Sequence, residues 1–200
     1  MTVGDRGFRV GAGLITTATK ITLVRLLLVP VFIGELRAYL KTGAALHYWI
    51  ALGSYAVAVM SDGIDGYVAR RFNQRSELGA MLDPLADKLL MRSALVVLTW
   101  WGAPRFAPIS VWLTGLIFAG DALVLTGYGM LHAVKHRPPV KPEWSGKVAT
   151  GLQMGLVSWV LLQWPAAAVP WWMAGTAGFT AVATGQYLPY GMAHWAGRPR

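Results

Sequence analysis

The chain has 200 residues, of which 55% are hydrophobic and only 14% charged, and its mean hydropathy is +0.46. A soluble domain carries about a quarter charged residues, so this composition excludes an ordinary water-soluble globule and places most of the chain in lipid. The formal charge of +9 does not indicate nucleic acid, because the basic residues lie between apolar segments and not in one patch or arm. An anionic membrane face, or an anionic substrate held near it, accounts for them. Cysteine is absent, which excludes a disulfide framework and a thiolate metal site and leaves the redox compartment open.

Residues 1–20 lack a long apolar run with a small-residue cleavage site, so no cleavable signal peptide is expected. Crossing the hydrocarbon takes about 20 apolar residues, and the chain offers six such segments: 21–40, 44–66, 82–102, 108–134, 146–165 and 170–192. Lys41 to Gly43 closes the first, Arg70 to Arg75 the second, Gly102 to Pro104 the third and Lys135 to Pro142 the fourth. Pro165 and Pro170 part the fifth from the sixth. No linker or internal repeat divides the chain, so residues 1–200 read as one all-α domain, a polytopic membrane bundle of six transmembrane helices. The Trp, Tyr and Phe residues would supply aromatic belts at the two interfaces.

Charge sets the orientation. With the N-terminus in the cytoplasm, Arg6, Arg9, Lys20, Arg70, Arg71, Arg75, Lys135, Arg137, Lys141, Lys147, Arg198 and Arg200 share one side, and only Arg37, Lys41 and Arg105 fall on the other. Both termini are therefore expected inside, and an odd number of crossings would scatter this asymmetry.

The chemistry is concentrated between residues 61 and 88. On a helix, Asp62, Asp65, Gly66 and Ala69 share one face, and Gly79, Asp83 and Asp87 form a second stripe at every fourth position. Four carboxylates near a membrane boundary repel one another unless cations neutralise them, and ionisable residues within a membrane are functional candidates by default. All-oxygen ligands select hard ions such as Mg²⁺ or Mn²⁺. Two such ions about 4 Å apart can grip both sides of a phosphoryl centre. Gly66 and Gly79 would let a bulky nucleotide approach the helices, and Arg70 stands ready for phosphate or an acidic group.

The pattern Asp62-x-x-Asp65-Gly66-x-x-Ala69-Arg70, eight residues, Gly79-x-x-x-Asp83-x-x-x-Asp87 resembles the complete signature of the CDP-alcohol phosphatidyltransferases. The resemblance implies that Asp62, Asp65, Asp83 and Asp87 ligate two metal ions and that Gly66, Ala69, Arg70 and Gly79 shape the site for the CDP moiety of CDP-diacylglycerol. It implies that Asp87 is the general base for the acceptor hydroxyl, that CMP leaves, and that the enzyme is a homodimer. A bacterial-type inner membrane with the site facing the cytoplasm fits that reading. The run from Arg71 to Gly79, followed by Leu82 to Leu89, is similar to the phosphatidylglycerophosphate synthase and cardiolipin synthase branches. Glycerol 3-phosphate is the expected acceptor, with phosphatidylglycerol as the alternative.

Lys147, in Gly146-Lys147-x-x-Thr150-x-x-Gln153, resembles a stretch of those branches and is assigned to the acceptor phosphate together with Arg25, while Lys135, Arg137 and Lys141 need only the positive-inside rule. Gly120-Asp121 departs from the branches, which often carry Arg before the acidic residue; Gly120 reads as a packing position and Asp121 as a charge in need of a partner. His132 and His136 lack metal-site spacing. A cation or proton transporter is the alternative of another class, but a conduction path needs polar groups through the whole depth of the bundle.

Overall fold

The computed structural model describes the backbone of residues 17–72, 77–133 and 144–195, and within these the side chains of residues 23–61, 86, 88–124, 126 and 144–186. The described residues form six α-helices: α1 Thr17–Thr42, α2 Ala45–Phe72, α3 Glu77–Trp101, α4 Val111–Ala133, α5 Trp144–Leu161 and α6 Val169–Trp195, with a 3-10 turn at Ala166–Ala168 before the last. There is no strand among them. Every expected segment is a helix, but α2 and α3 extend past 66 and start before 82, at the ends that carry the acidic motif. Hydropathy windows stop at Asp and Arg, whereas backbone hydrogen bonding continues through them because their spacing is helical.

The helix ends follow from local chemistry. Gly43 sits at φ 76° directly after α1, and its N–H donates to the Tyr39 carbonyl at 2.8 Å, the left-handed stop that glycine makes at little cost. A Cβ there would also lie 2.6 Å from an Arg105 guanidinium nitrogen. Gly43→Ala should therefore lower stability by about 1–2 kcal/mol, measured as a reduced unfolding midpoint in detergent. After α5 the left-handed residue is Gln163, at φ 53°. Its N–H reaches the Val160 carbonyl and the Trp164 N–H reaches the Trp159 carbonyl, and Pro165 then prevents continuation.

The core grows from stripes of side chains at helical spacing. On α1 these are Arg25, Val29, Phe32 and Leu36; on α3, Ala86, Leu90, Ala94 and Leu98; on α5, Ala149, Gln153, Leu156 and Val160. α1 packs on α2 and α3, α6 packs on α4 and α5, and α3 touches both α4 and α5, so α3 joins the two halves. One end of the bundle is pinned across helices: Tyr48 Oη donates to the Leu161 carbonyl at 3.0 Å, Gln163 Nε2 to Tyr39 Oη at 3.2 Å, and Arg105 Nε to the Leu40 carbonyl at 3.2 Å. The opposite end receives the acidic motif, since only four residues separate Phe72 from Glu77.

The outside is apolar where the inside is polar. Leu27, Leu46, Trp49, Met60, Trp144 and Trp171 are exposed, while Arg25, Ser145, Gln153, Thr176 and Thr180 are buried. Among the described residues no helix is long and apolar enough to cross a membrane. Averaging along a helix adds its inward Gln, Ser and Thr to its outward Leu and Trp, so mean hydropathy understates the apolar character of the outer face.

Candidate functional site

Asp62, Asp65, Gly66, Ala69 and Arg70 lie on the last turns of α2, and Gly79, Asp83 and Asp87 on the first turns of α3. Their side chains lie outside the described residues. The link from Phe72 to Glu77 is short enough that both stretches must enter the same end of the bundle. Among the described residues no group of three or more His, Cys, Asp or Glu could hold a metal ion.

The described side chains build a cavity beside that end. It has a volume of about 240 Å³ and is lined from α3 by Lys88, Met91 and Arg92, from α4 by Gly120 and Asp121, from α5 by Gly146, Thr150 and Gln153, and from α6 by Thr180 and Thr184. Lys88 directly follows Asp87, and Arg92 stands five residues on, about 7.5 Å along the helix axis. The cavity thus begins at the turn that carries the last aspartate of the motif.

A chain of polar contacts crosses it. Arg92 Nε donates to Asp121 Oδ2 at 2.6 Å and Arg92 Nη1 to Gln153 Oε1 at 2.8 Å, while Gln153 Nε2 donates to Thr180 Oγ1 at 3.3 Å. Lys88 Nζ lies 3.5 Å from Asp121 Oδ1. Four helices are therefore tied through side chains that an apolar environment would otherwise penalise, and the Arg92–Asp121 bond is of the charge-assisted kind that contributes about 1.5–3 kcal/mol. Asp121 has the partner its position required. Gly120 is a packing position, because a Cβ there would stand 2.7 Å from Thr184 Oγ1 and that hydroxyl would have to turn away.

The two residues expected at the acceptor phosphate do not line the cavity: Lys147 is exposed and Arg25 is buried on α1, whereas Thr150 and Gln153, from the same stretch as Lys147, do line it. The cations that do line it, Lys88 and Arg92, were not assigned from sequence. The signal was present in Arg92, a charge in the middle of the apolar segment 82–102 and by that fact a functional candidate.

Residues 15–183 match the model of a family described as CDP-alcohol phosphatidyltransferase. The chain belongs to that family. Among similar curated proteins, a Streptomyces coelicolor cardiolipin synthase (CMP-forming) is 37% identical over 68% of this chain, and the match spans 60% of that relative's length. The CDP-diacylglycerol–glycerol-3-phosphate 3-phosphatidyltransferases of Escherichia coli K12 and Shigella flexneri are each 32% identical over 72% of this chain and 75% of their own. No solved structure matches the chain. Membership in a phosphatidyltransferase family decides against the transporter alternative.

Proposed function

We propose that this chain transfers the phosphatidyl group of CDP-diacylglycerol to the hydroxyl of glycerol 3-phosphate, giving phosphatidylglycerol phosphate and CMP. The observation that carries the reading is the cavity beside Asp87 with Lys88, Arg92, Asp121 and Gln153 in its lining, since a small, hydrophilic acceptor must reach the nucleotide-bearing end of α2 and α3 without entering lipid. In this reading Asp87 takes the proton from the acceptor hydroxyl, the freed oxygen attacks the phosphorus that bears diacylglycerol, and the bond from that phosphorus to CMP breaks. Gly66, Ala69 and Gly79 leave room for the cytidine, and Arg70 pairs with phosphate.

Asp62, Asp65, Asp83 and Asp87 form an all-oxygen donor set at helical spacing on two helices joined by a short link, which suits hard cations such as Mg²⁺ or Mn²⁺, and two such ions would neutralise charge on the pyrophosphate. Lys147 and Arg25 would add positive potential at this end of the bundle and draw anionic substrates toward it.

The chain is read as one domain embedded in a bacterial-type inner membrane, crossing it six times with the site on the cytoplasmic side, and as a homodimer. Support for embedding comes from the distribution of exposed tryptophans. Trp49, Trp100, Trp101, Trp112, Trp164 and Trp171 all stand at the end opposite the acidic motif, as a belt at one interface would. The homodimer rests on family resemblance.

The test is CMP release by the purified protein with CDP-diacylglycerol and each acceptor in turn. Release that depends on glycerol 3-phosphate supports the reading. Release that depends on phosphatidylglycerol alone would replace it with cardiolipin synthesis, the activity named for the 37% identical relative.

A further inference from the structure

Among the described residues of its lining, the cavity has two cations and one carboxylate. Lys88 and Arg92 face a single carboxylate, Asp121, and the other polar groups of the lining, Thr150, Gln153, Thr180 and Thr184, are neutral. The two cations differ in how they are held. The Lys88 side chain is 49% exposed and reaches Asp121 only at 3.5 Å. The Arg92 side chain is 16% exposed and fixed from two sides, by Asp121 on α4 and by Gln153 on α5, which is itself held by Thr180 on α6.

A guanidinium has five N–H groups. Those two bonds use one on Nε and one on Nη1, and no described residue engages Nη2. Among the described residues, three donors of a planar fork therefore remain at the wall of the cavity, in an orientation set before any ligand arrives. That is the arrangement that grips two oxygens of one phosphate or carboxylate, and the fixed geometry removes most of the ordering cost of binding.

Resting on the reading above, we infer that Arg92 is the specificity-determining residue for the acceptor: it receives the anionic phosphate of a small phosphoalcohol, with Lys88 closing over the same group from the mouth. Asp121 and Gln153 act through Arg92 as positioning residues. The 240 Å³ of the cavity accommodates a three-carbon phosphoalcohol, and the excess positive charge selects it over the uncharged alcohol of the same shape.

The experiment measures CMP release by the full chain in detergent, varying glycerol 3-phosphate and CDP-diacylglycerol separately, for wild type, Arg92→Ala, Arg92→Lys and Lys88→Ala. Arg92→Ala should raise the KM for glycerol 3-phosphate about ten-fold or more and leave the KM for CDP-diacylglycerol nearly unchanged, with Arg92→Lys recovering part of the loss. Inorganic phosphate should compete with glycerol 3-phosphate in wild type and much less in Arg92→Ala. Lys88 is half exposed, so Lys88→Ala repeats the test should Arg92→Ala fail to fold, and it should shift the same KM in the same direction. An unmoved acceptor KM in these variants, or a parallel rise in both KM values, overturns the inference while leaving transfer to glycerol 3-phosphate intact. Wild-type protein that ignores glycerol 3-phosphate sinks the acceptor reading itself, whatever the variants do.

Discussion

Asp87→Asn is expected to lower CMP release by about 10²- to 10⁴-fold, the range lost when a positioned general base is removed. The substitution keeps the shape of the side chain and removes its charge, so the base and one proposed metal ligand are lost together while α3 retains its helix. Folding should not suffer. Taking one carboxylate from a group of four relieves mutual repulsion when no cation is present, so thermal unfolding of the metal-free variant should occur at the wild-type temperature or above it. Chelation with EDTA should silence the wild type as thoroughly as the mutation, and excess Mg²⁺ or Mn²⁺ should restore wild type alone. Full turnover by Asp87→Asn, or by chelated wild type, would remove the acidic motif from the chemistry.

Asp121→Ala is expected to destabilise the fold by about 2–3 kcal/mol, below the 3–5 kcal/mol of a fully buried ion pair because the Asp121 and Arg92 side chains are partly exposed. The loss comes from what is left behind. Arg92 loses its 2.6 Å bond, and Lys88 then faces Arg92 with no carboxylate between them. Adding Arg92→Leu to the same chain removes the stranded guanidinium, so the double variant should be more stable than Asp121→Ala alone, and the cycle of four proteins yields the coupling energy. Unfolding midpoints in detergent measure each corner. A cost below about 0.5 kcal/mol would mean that water screens the pair as it does at a surface.

The parts of this protein that were legible in the sequence are those encoded by spacing. Asp62 with Asp65, and Gly79 with Asp83 and Asp87, declare two helical faces by their spacing, and the resemblance of that pattern to the CDP-alcohol phosphatidyltransferase signature implies the reaction class. The six helices were legible for a similar reason, since each is an apolar run closed by Gly, Pro or a basic cluster. Their ends were less so: α2 and α3 run on through charged residues that a hydropathy reading treats as boundaries. Asp121 was recognised as a charge needing a partner, but its partner lies 29 residues away on another helix, beyond the reach of any local pattern.

The acceptor side shows the same division most clearly. Lys147, Thr150 and Gln153 follow one another at helical steps, yet Thr150 and Gln153 line the cavity and Lys147 does not. Each three-residue step turns the side chain by a net 60° or so, an amount that decides between cavity and lipid only once the neighbouring helices are in place.

The sequence by itself therefore determined an all-helical chain and the faces of its acidic motif, because periodicity and spacing are properties of one helix at a time, and its family through the resemblance that motif carries. Only the tertiary structure decided which cations share a cavity. Arg92 meets Asp121, Gln153 and, through it, Thr180 because α3 lies between the two halves of the bundle and touches both α4 and α5, and that contact depends on how four helices pack against one another.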